Sequence, residues 1–352
     1  MNDSKIEDVS LLDHSWEPLL KLLKENERKQ VFVLVDSNTS LHCLPQLELV
    51  LENEQIQYSI LEVEAGETSK GLEVCASLWN ALTEEQASRQ SLLINLGGGM
   101  ITDLGGFVAA VYKRGIEFIN IPTSLLGMID ASIGGKCGID FNGYKNQLGA
   151  FQTPQKTFIY PSFLKTLPKD ELKSGYAEVI KHALIADQNY WEELEQSNLS
   201  ELPDVAILQR SIEIKSSIVA ADPLEKGERK KLNFGHTIGH AFESYFLEKG
   251  NPIPHGFAIA AGMFCEAKLS VMVSTLLQES LEAILAMIDK NYQRLQIDST
   301  DFTDLIELMK QDKKNQGAQI NCTLLSGIGI ATIDQEIEDE LILETLKFYF
   351  RS

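Results

Sequence analysis

The sequence has no pair of cysteines at a disulfide or metal-binding spacing: Cys43, Cys75, Cys137, Cys265 and Cys322 are scattered along 352 residues. That excludes a disulfide-stapled scaffold and points to a reduced compartment. Basic residues are few beside acidic ones, 31 Lys+Arg against 51 Asp+Glu, for a formal net charge of -20. Such a surface repels a phosphate backbone, so no nucleic-acid partner is expected, although a local basic pocket still suits a small anion. The opening MNDSKIEDVS lacks the basic-then-apolar pattern of a secretory signal. No apolar run approaches the 18 residues of a membrane span, so a cytoplasmic protein with no membrane partner is expected. Internal repeats, low-complexity segments, the dinucleotide fingerprint GxGxxG and the zinc-protease HExxH are also missing.

What is present is an ordinary globular composition, 44% apolar and 23% charged, long enough for two domains with separate cores. The apolar run 31–35 (VFVLV) reads as a buried strand ending at Asp36-Ser37-Asn38. Helix-like Leu41–Asn53, strand-like Tyr58–Val63, a helical stretch over 70–84, strand Leu92–Leu96, a helix of small residues at Gly105–Val111 and strand Phe118–Ile121 follow. Alternation of this kind predicts an α/β domain with a largely parallel sheet. After Pro168 the texture becomes helical: Glu171–Ala186, Tyr190–Gln196, Val205–Ala221, Lys230–Glu248, Gly256–Ser274 and Leu277–Tyr292 carry helical periodicity. The expected organisation is an α/β nucleotide-binding domain over 1–165 and a mostly helical domain over 166–352.

The stretch RKKLNFGHTIGH, 229–240, places His236 and His240 one helical turn apart, with His255 just downstream. Arg229 and Asn233 fall one and two turns back. Two imidazoles on one face suit a metal or an anionic ligand, and equally a pair of hydrogen-bonded core histidines; Thr237 after His236 excludes the zinc-protease mechanism. In GYAEVIKH, Glu178 lies in an apolar helical context where a carboxylate needs a partner, either a metal shared with the histidines or His182. One carboxylate and two imidazoles are a ligand set for catalytic zinc. Gly97-Gly98-Gly99 after a strand is either a pyrophosphate cradle or a tight turn, and Asp103 either holds a ribose or nicotinamide group or caps the helix. Asp130, Lys136, Lys145 and Asn146 around a glycine pair suit an anionic, hydroxyl-bearing ligand.

Taken together, GGGMITDLGGFVAA, PTSLLGMIDASIGGK, GYAEVIKHA, LNFGHTIGHAFE, PHG at 254–256 and DKK at 312–314 resemble the 3-dehydroquinate synthase family, in order and over nearly the whole chain. The resemblance implies an NAD-binding α/β domain and a helical domain that binds metal and substrate. It implies zinc (with Co2+ as a substitute) and conversion of 3-deoxy-D-arabino-heptulosonate 7-phosphate, a phosphorylated sugar acid, to 3-dehydroquinate and phosphate, the second step of the shikimate pathway. By motif, it implies Glu178, His236 and His255 as metal ligands, with His240, Glu225, Lys136 and Asp130 as catalytic groups. Cofactor contacts would come from Asp36, Asn38, Glu67, Lys70, Gly98, Gly99, Asp103, Thr123, Ser124, Lys145, Phe163, Lys165 and Thr166. Asp130, Lys136, Asn146, Lys181, Lys215, Arg229, Asn233 and Lys314 would hold substrate. Arg114 would reach a neighbouring subunit's site, implying a homodimer.

Two positions depart from the family pattern: Phe257 stands where an acid usually follows His-Gly, and Ser124 replaces a threonine. Both leave the ligands and lysines intact. Rival readings are another sugar phosphate cyclase of the 2-epi-5-epi-valiolone or 2-deoxy-scyllo-inosose type, a metal-dependent polyol dehydrogenase that would release NADH, and a non-catalytic metal-binding relative.

Overall fold

The fold begins from two strands that are buried on both faces. In a computed structural model describing residues 8–25, 30–142, 144–311 and 319–351, the chain divides into two compact units, 1–168 and 169–352. In the first unit the elements run β1 Val9–Leu11, α1 Glu17–Glu25, β2 Val31–Asp36, α2 Ser37–His42, α3 Leu44–Asn53, β3 Tyr58–Val63, α4 Leu72–Glu84, β4 Leu92–Gly97 and α5 Gly99–Val111. They continue as β5 Glu117–Pro122, β6 Lys136–Phe141, β7 Tyr144–Phe151 and β8 Thr157–Ile159.

Among the described residues, six strands form one parallel sheet in the order β1-β8-β5-β4-β2-β3. Every residue of β2 and β4 is buried, as expected for strands covered by helices on both faces. From β2 the chain steps outward to β3, then returns past β2 to β4 and continues to β5 and β8. The order therefore reverses between β2 and β4, and in doubly wound sheets that crevice, at the strands' carboxyl ends, is where ligands bind. Asp36 and Gly97 end these two strands.

The second unit contains α6 Lys169–Ala186, α7 Gln188–Gln196, α8 Val205–Ala221, α9 His236–Glu248, α10 His255–Val273, α11 Gln278–Asn291, α12 Phe302–Lys310, β9 Ile320–Gly327, β10 Ile330–Ile337 and α13 Asp339–Arg351. At its centre α10 packs against α9, α6, α11 and α13. Contrary to the sequence expectation, α10 is long and apolar enough to cross a membrane by length and composition, yet 72% of that stretch is buried inside the protein. Its all-round apolarity is that of a core helix enclosed by neighbours.

Several expected boundaries shift. Leu41–Asn53 is two helices, α2 and α3, with Pro45 in the first turn of the second, a position where its missing N–H costs nothing. Helix α5 starts at Gly99, not Gly105. The stretch Lys230–Glu248 is not one helix: a 3-10 turn covers Glu228–Asn233, and α9 starts only at His236 after Gly235 at φ 80. That left-handed conformation suits glycine, and here packing demands it as well: an added Cβ would sit 2.4 Å from the Met263 side chain and 3.1 Å from the Ile259 carbonyl. The hairpin β6–β7 and the ribbon β9–β10, both antiparallel, were not anticipated.

Candidate active site

Glu178 lies in the middle of α6 and is fully buried. Its Oε2 pairs with Lys181, one turn further along the same helix. Its Oε1 stands 3.6 Å from His236 Nε2 and 3.6 Å from His255 Nε2. Both histidines are the first residues of their helices, α9 and α10. Both rings are anchored on the opposite nitrogen: His236 Nδ1 bonds the Phe234 carbonyl at 3.1 Å, and His255 Nδ1 bonds Glu243 Oε2 at 3.3 Å. Two Nε2 atoms are thus turned toward one carboxylate.

This donor set fits a divalent cation. Separations of 3.6 Å are long for hydrogen bonds, but close to the roughly 3.3–3.4 Å that tetrahedral ligands keep around zinc at about 2.0–2.1 Å. A carboxylate or carbonyl on the far nitrogen of each imidazole is the usual support for a metal-ligating histidine. Glu178, His236 and His255 each offer a donor atom within 4.8 Å of the others. A second group, His240, Glu243 and His255, meets the same distance, but its Glu243–His255 contact is a hydrogen bond that orients the ring. The His240 ring lies 5.1 Å from that of His236 and 6.1 Å from that of His255, centroid to centroid, beside the cluster rather than at its focus.

Burial alone would lower the pKa of His255, but the carboxylates of Glu178 and Glu243 outweigh it and raise it to about 10. Sequence reasoning missed Glu243 as a functional residue, although it lies three residues after His240 and seven after His236, on their face of the helix.

The break before α9 moves Arg229 and Asn233 off the histidine helix, so they are not one and two turns back on it. Their loop is organised by Asp222, also missed, which accepts the backbone N–H of Lys226 at 3.0 Å, of Gly227 at 2.6 Å and of Arg229 at 3.2 Å. Burial opposes ionisation of Asp222, but those bonds and Arg229 hold its carboxyl below the ordinary range. Within the loop Glu225 takes a left-handed φ of 59, and its Oε1 receives the Asn233 amide at 3.0 Å. Arg229 is buried and donates to the Pro223 carbonyl at 2.8 Å. With Lys181 and Lys215, it makes three buried Lys and Arg side chains among the described residues of this unit, groups that are rarely buried without anionic company. Phe257, in the first turn of α10, packs edge-on against Tyr292 at 5.6 Å.

In the first unit the structure brings Glu67, Lys70 and Asp103 together. Lys70 Nζ is 2.7 Å from Asp103 Oδ2 and 3.7 Å from Glu67 Oε1. Burial would depress the pKa of Lys70, but Asp103 and Glu67 push it up to about 12, so it is charged at neutral pH. Asp103 does not cap α5: Gly98 is the N-cap and makes no side-chain cap hydrogen bond, which leaves the helix start to backbone N–H groups. Packing also requires glycine in this turn, since a Cβ on Gly97 would sit 2.5 Å from that of Ile101. Asp36 caps α2, its Oδ1 accepting from Asn38 N and Thr39 N at 2.9 Å each. Thr123 and Ser124 follow β5, with Thr123 N–H bonded to the Gly97 carbonyl.

Asp130 sits in a π-helical turn, Gly127–Ala131, a local irregularity common at functional sites. Lys136, Lys145 and Asn146 lie on the exposed part of the β6–β7 hairpin. The Phe163 ring is buried against Trp16 and Tyr160, while Lys165 and Thr166 are exposed. Arg114 stands apart, exposed, in a left-handed turn at φ 68. Lys314 lies outside the described residues.

Residues 60–174 match the family model for the 3-dehydroquinate synthase N-terminal region, and residues 175–315 match that for the C-terminal region. A 3-dehydroquinate synthase from Parabacteroides distasonis is 45% identical, the alignment covering 100% of this chain and 99% of that protein. Among solved structures, a 2-deoxy-scyllo-inosose synthase complexed with carbaglucose-6-phosphate, NAD+ and Co2+ superposes with a TM-score of 0.85 at 24% identity, covering 97% of this chain and 96% of that one. A 2-epi-5-epi-valiolone synthase from Streptomyces hygroscopicus subsp. jinggangensis, with NAD+ and Zn2+ bound, does so at 0.83 and 23%, over 97% and 96%. At that identity the two structures share a fold with this chain and nothing finer is taken from them.

Proposed function

The chain belongs to the 3-dehydroquinate synthase family, and we propose that Glu178, His236 and His255 form the divalent metal centre at which it converts 3-deoxy-D-arabino-heptulosonate 7-phosphate to 3-dehydroquinate and phosphate. The observation that carries this assignment is the meeting of three anchored donors, two Nε2 atoms each 3.6 Å from one buried carboxylate oxygen. A cation held by Glu178, His236 and His255 would supply Lewis acidity toward a substrate hydroxyl, and NAD+ held at the first unit's switch point would supply a reversible hydride acceptor, so that phosphate is lost without net redox change. Lys181, Lys215 and Arg229 supply positive charge for the substrate's phosphate and carboxylate, and Asn233, held by Glu225, orients a hydroxyl. Lys136 and Asp130 keep the substrate and catalytic roles that the family resemblance implies, as do His240 and Glu225 their roles in proton movement. Glu67, Lys70 and Asp103, the N-terminus of α5 and the end of β2 at Asp36 form the cofactor side, at the sheet's switch point. For the exposed Arg114 the family resemblance alone suggests a homodimer in which this arginine serves the neighbouring site. Near-complete coverage at 45% identity favours this activity over the other cyclases, which share only the fold.

Purified protein given the heptulosonate phosphate, NAD+ and Zn2+ is expected to release phosphate stoichiometrically with dehydroquinate and without accumulating NADH. Turnover of sedoheptulose 7-phosphate instead would move the chain to the valiolone branch, and NADH build-up on simple polyols would make it a dehydrogenase. A pH prediction follows from His255. Because its pKa is raised to about 10 without metal, the metal-free protein carries a proton there at neutral pH, and a cation at Nε2 must displace it. Zinc binding is therefore expected to release about one proton from this ring, with apparent affinity rising up to about tenfold per pH unit below that pKa. Calorimetric titration in buffers of different ionisation enthalpy measures this; a binding heat independent of buffer would contradict it.

A further inference from the structure

Glu266 is a fully buried carboxylate on α10, and nothing in the reaction above calls on it. Its Oε2 accepts the N–H of Gly235 at 2.6 Å and its Oε1 that of Ile238 at 3.1 Å. These are backbone donors at the start of α9, on either side of His236. A helix start leaves its first N–H groups without intrahelical partners, and here the acceptor comes from another helix rather than from a local capping side chain. The two helices run antiparallel at very close range: a Cβ on Gly262 would lie 2.0 Å from the Gly235 carbonyl, and one on Gly239 3.0 Å from the Ala258 carbonyl. At the other end of the same pair, Glu243 of α9 holds His255, the first residue of α10. Each helix thus contributes a carboxylate to the N-terminal turn of the other, and each of those turns carries a histidine facing Glu178.

We propose that Glu266 is a positioning residue for the metal centre: by fixing the first turn of α9 against α10, it sets the separation of His236 and His255 before a cation arrives. The proposal rests on the reading of Glu178, His236 and His255 as ligands. Glutamine at 266 is nearly isosteric but presents an N–H2 to one of two backbone donors, so one end of the clamp becomes a donor facing a donor. Partners bonded to the ligands themselves govern metal affinity by about 10–100-fold, and a shift of the first turn of α9 moves His236 together with the Phe234 carbonyl that holds its ring.

The test titrates metal-free wild type, Glu266→Gln and Ser270→Ala with Zn2+ against a competing chelator, and records the Co2+ absorption spectrum of each. Ser270→Ala removes a buried hydroxyl one turn further along α10 that donates to the Glu266 backbone carbonyl at 2.7 Å and accepts the Leu325 N–H at 2.9 Å; it leaves the Glu266 carboxylate and its two bonds to the start of α9 in place. The expected result is a metal Kd raised about 10–100-fold with an altered Co2+ band in Glu266→Gln. In Ser270→Ala the Kd stays within about twofold despite a lower Tm. A Kd and Co2+ band in Glu266→Gln equal to wild type, or an equal loss in Ser270→Ala, overturns the proposal. Failure of wild type to bind metal would instead defeat the assignment of the metal centre. Should Glu266→Gln not yield folded protein, Glu266→Asp, which retracts the carboxylate by one methylene, is titrated in its place with the same expected and overturning results.

Discussion

His255→Ala is expected to abolish stoichiometric zinc binding and to reduce phosphate release by at least about a hundredfold, while the chain remains folded. The structural cost is small, because the side chain is 28% exposed and alanine is a good helix former at the first position of α10. The functional cost is large, because one of three anchored donors is lost; polarisation by a cation is worth several kcal/mol and each 1.36 kcal/mol is tenfold in rate. His240→Ala is the informative companion. His240 shares a second close group with His255 and Glu243, so distance alone does not separate it from the ligands. If Glu178, His236 and His255 are the ligands, His240→Ala keeps zinc and loses rate. Metal analysis after dialysis decides it: full zinc retention in His255→Ala, or zinc loss in His240→Ala, would overturn the assignment.

Gly256→Ala is expected to be among the most damaging single methyl groups in the second unit, with Gly262→Ala its equal in closeness of clash. A Cβ there would lie 2.0 Å from the Ser174 carbonyl oxygen and 2.5 Å from its Cα. Both are backbone atoms of α6, so no flexible side-chain end can yield. Gly256 also donates its N–H to Ser174 Oγ at 2.9 Å. Relief requires α10 to move away from α6 next to His255, while Glu178 sits one turn beyond Ser174. Overpacking of this kind typically costs about 1–3 kcal/mol, and the same displacement should weaken zinc binding together with stability. Denaturant unfolding and zinc titration of the variant measure both. A change within about 0.5 kcal/mol, as for an ordinary surface substitution, with unchanged zinc affinity, would mean that the two backbones do not meet as described.

The parts legible in the chain were those whose signal is local. VFVLV is wholly apolar and LLINL nearly so, Asn95 excepted, so they read directly as strands, β2 and β4. Helices α7, α8 and α11 follow from 3.6-residue periodicity to within two residues at each end. The pairing of Lys70 with Asp103 needed the fold, because 33 residues separate them. The break at Gly235 was hidden because apolar spacing continues across it, and only the close approach of α10 makes a left-handed residue necessary there. Hairpin β6–β7 was obscured by its lysines, asparagines and glycines, which resemble a ligand loop as much as a strand pair.

Sequence alone determined the α/β and helical halves, the family, and the residue types able to bind a cation, because these depend on composition, periodicity and ordered motifs. Tertiary structure decided which nitrogen each histidine presents, since the Phe234 carbonyl and Glu243 hold the far side of the two rings. It likewise decided that Asp222 and Glu266, silent in any local pattern, shape the site. Glu266 acts on backbone groups 31 and 28 residues upstream. A backbone N–H is the same at every residue, so the sequence carries no sign of which ones a distant carboxylate will meet; only packing brings them together.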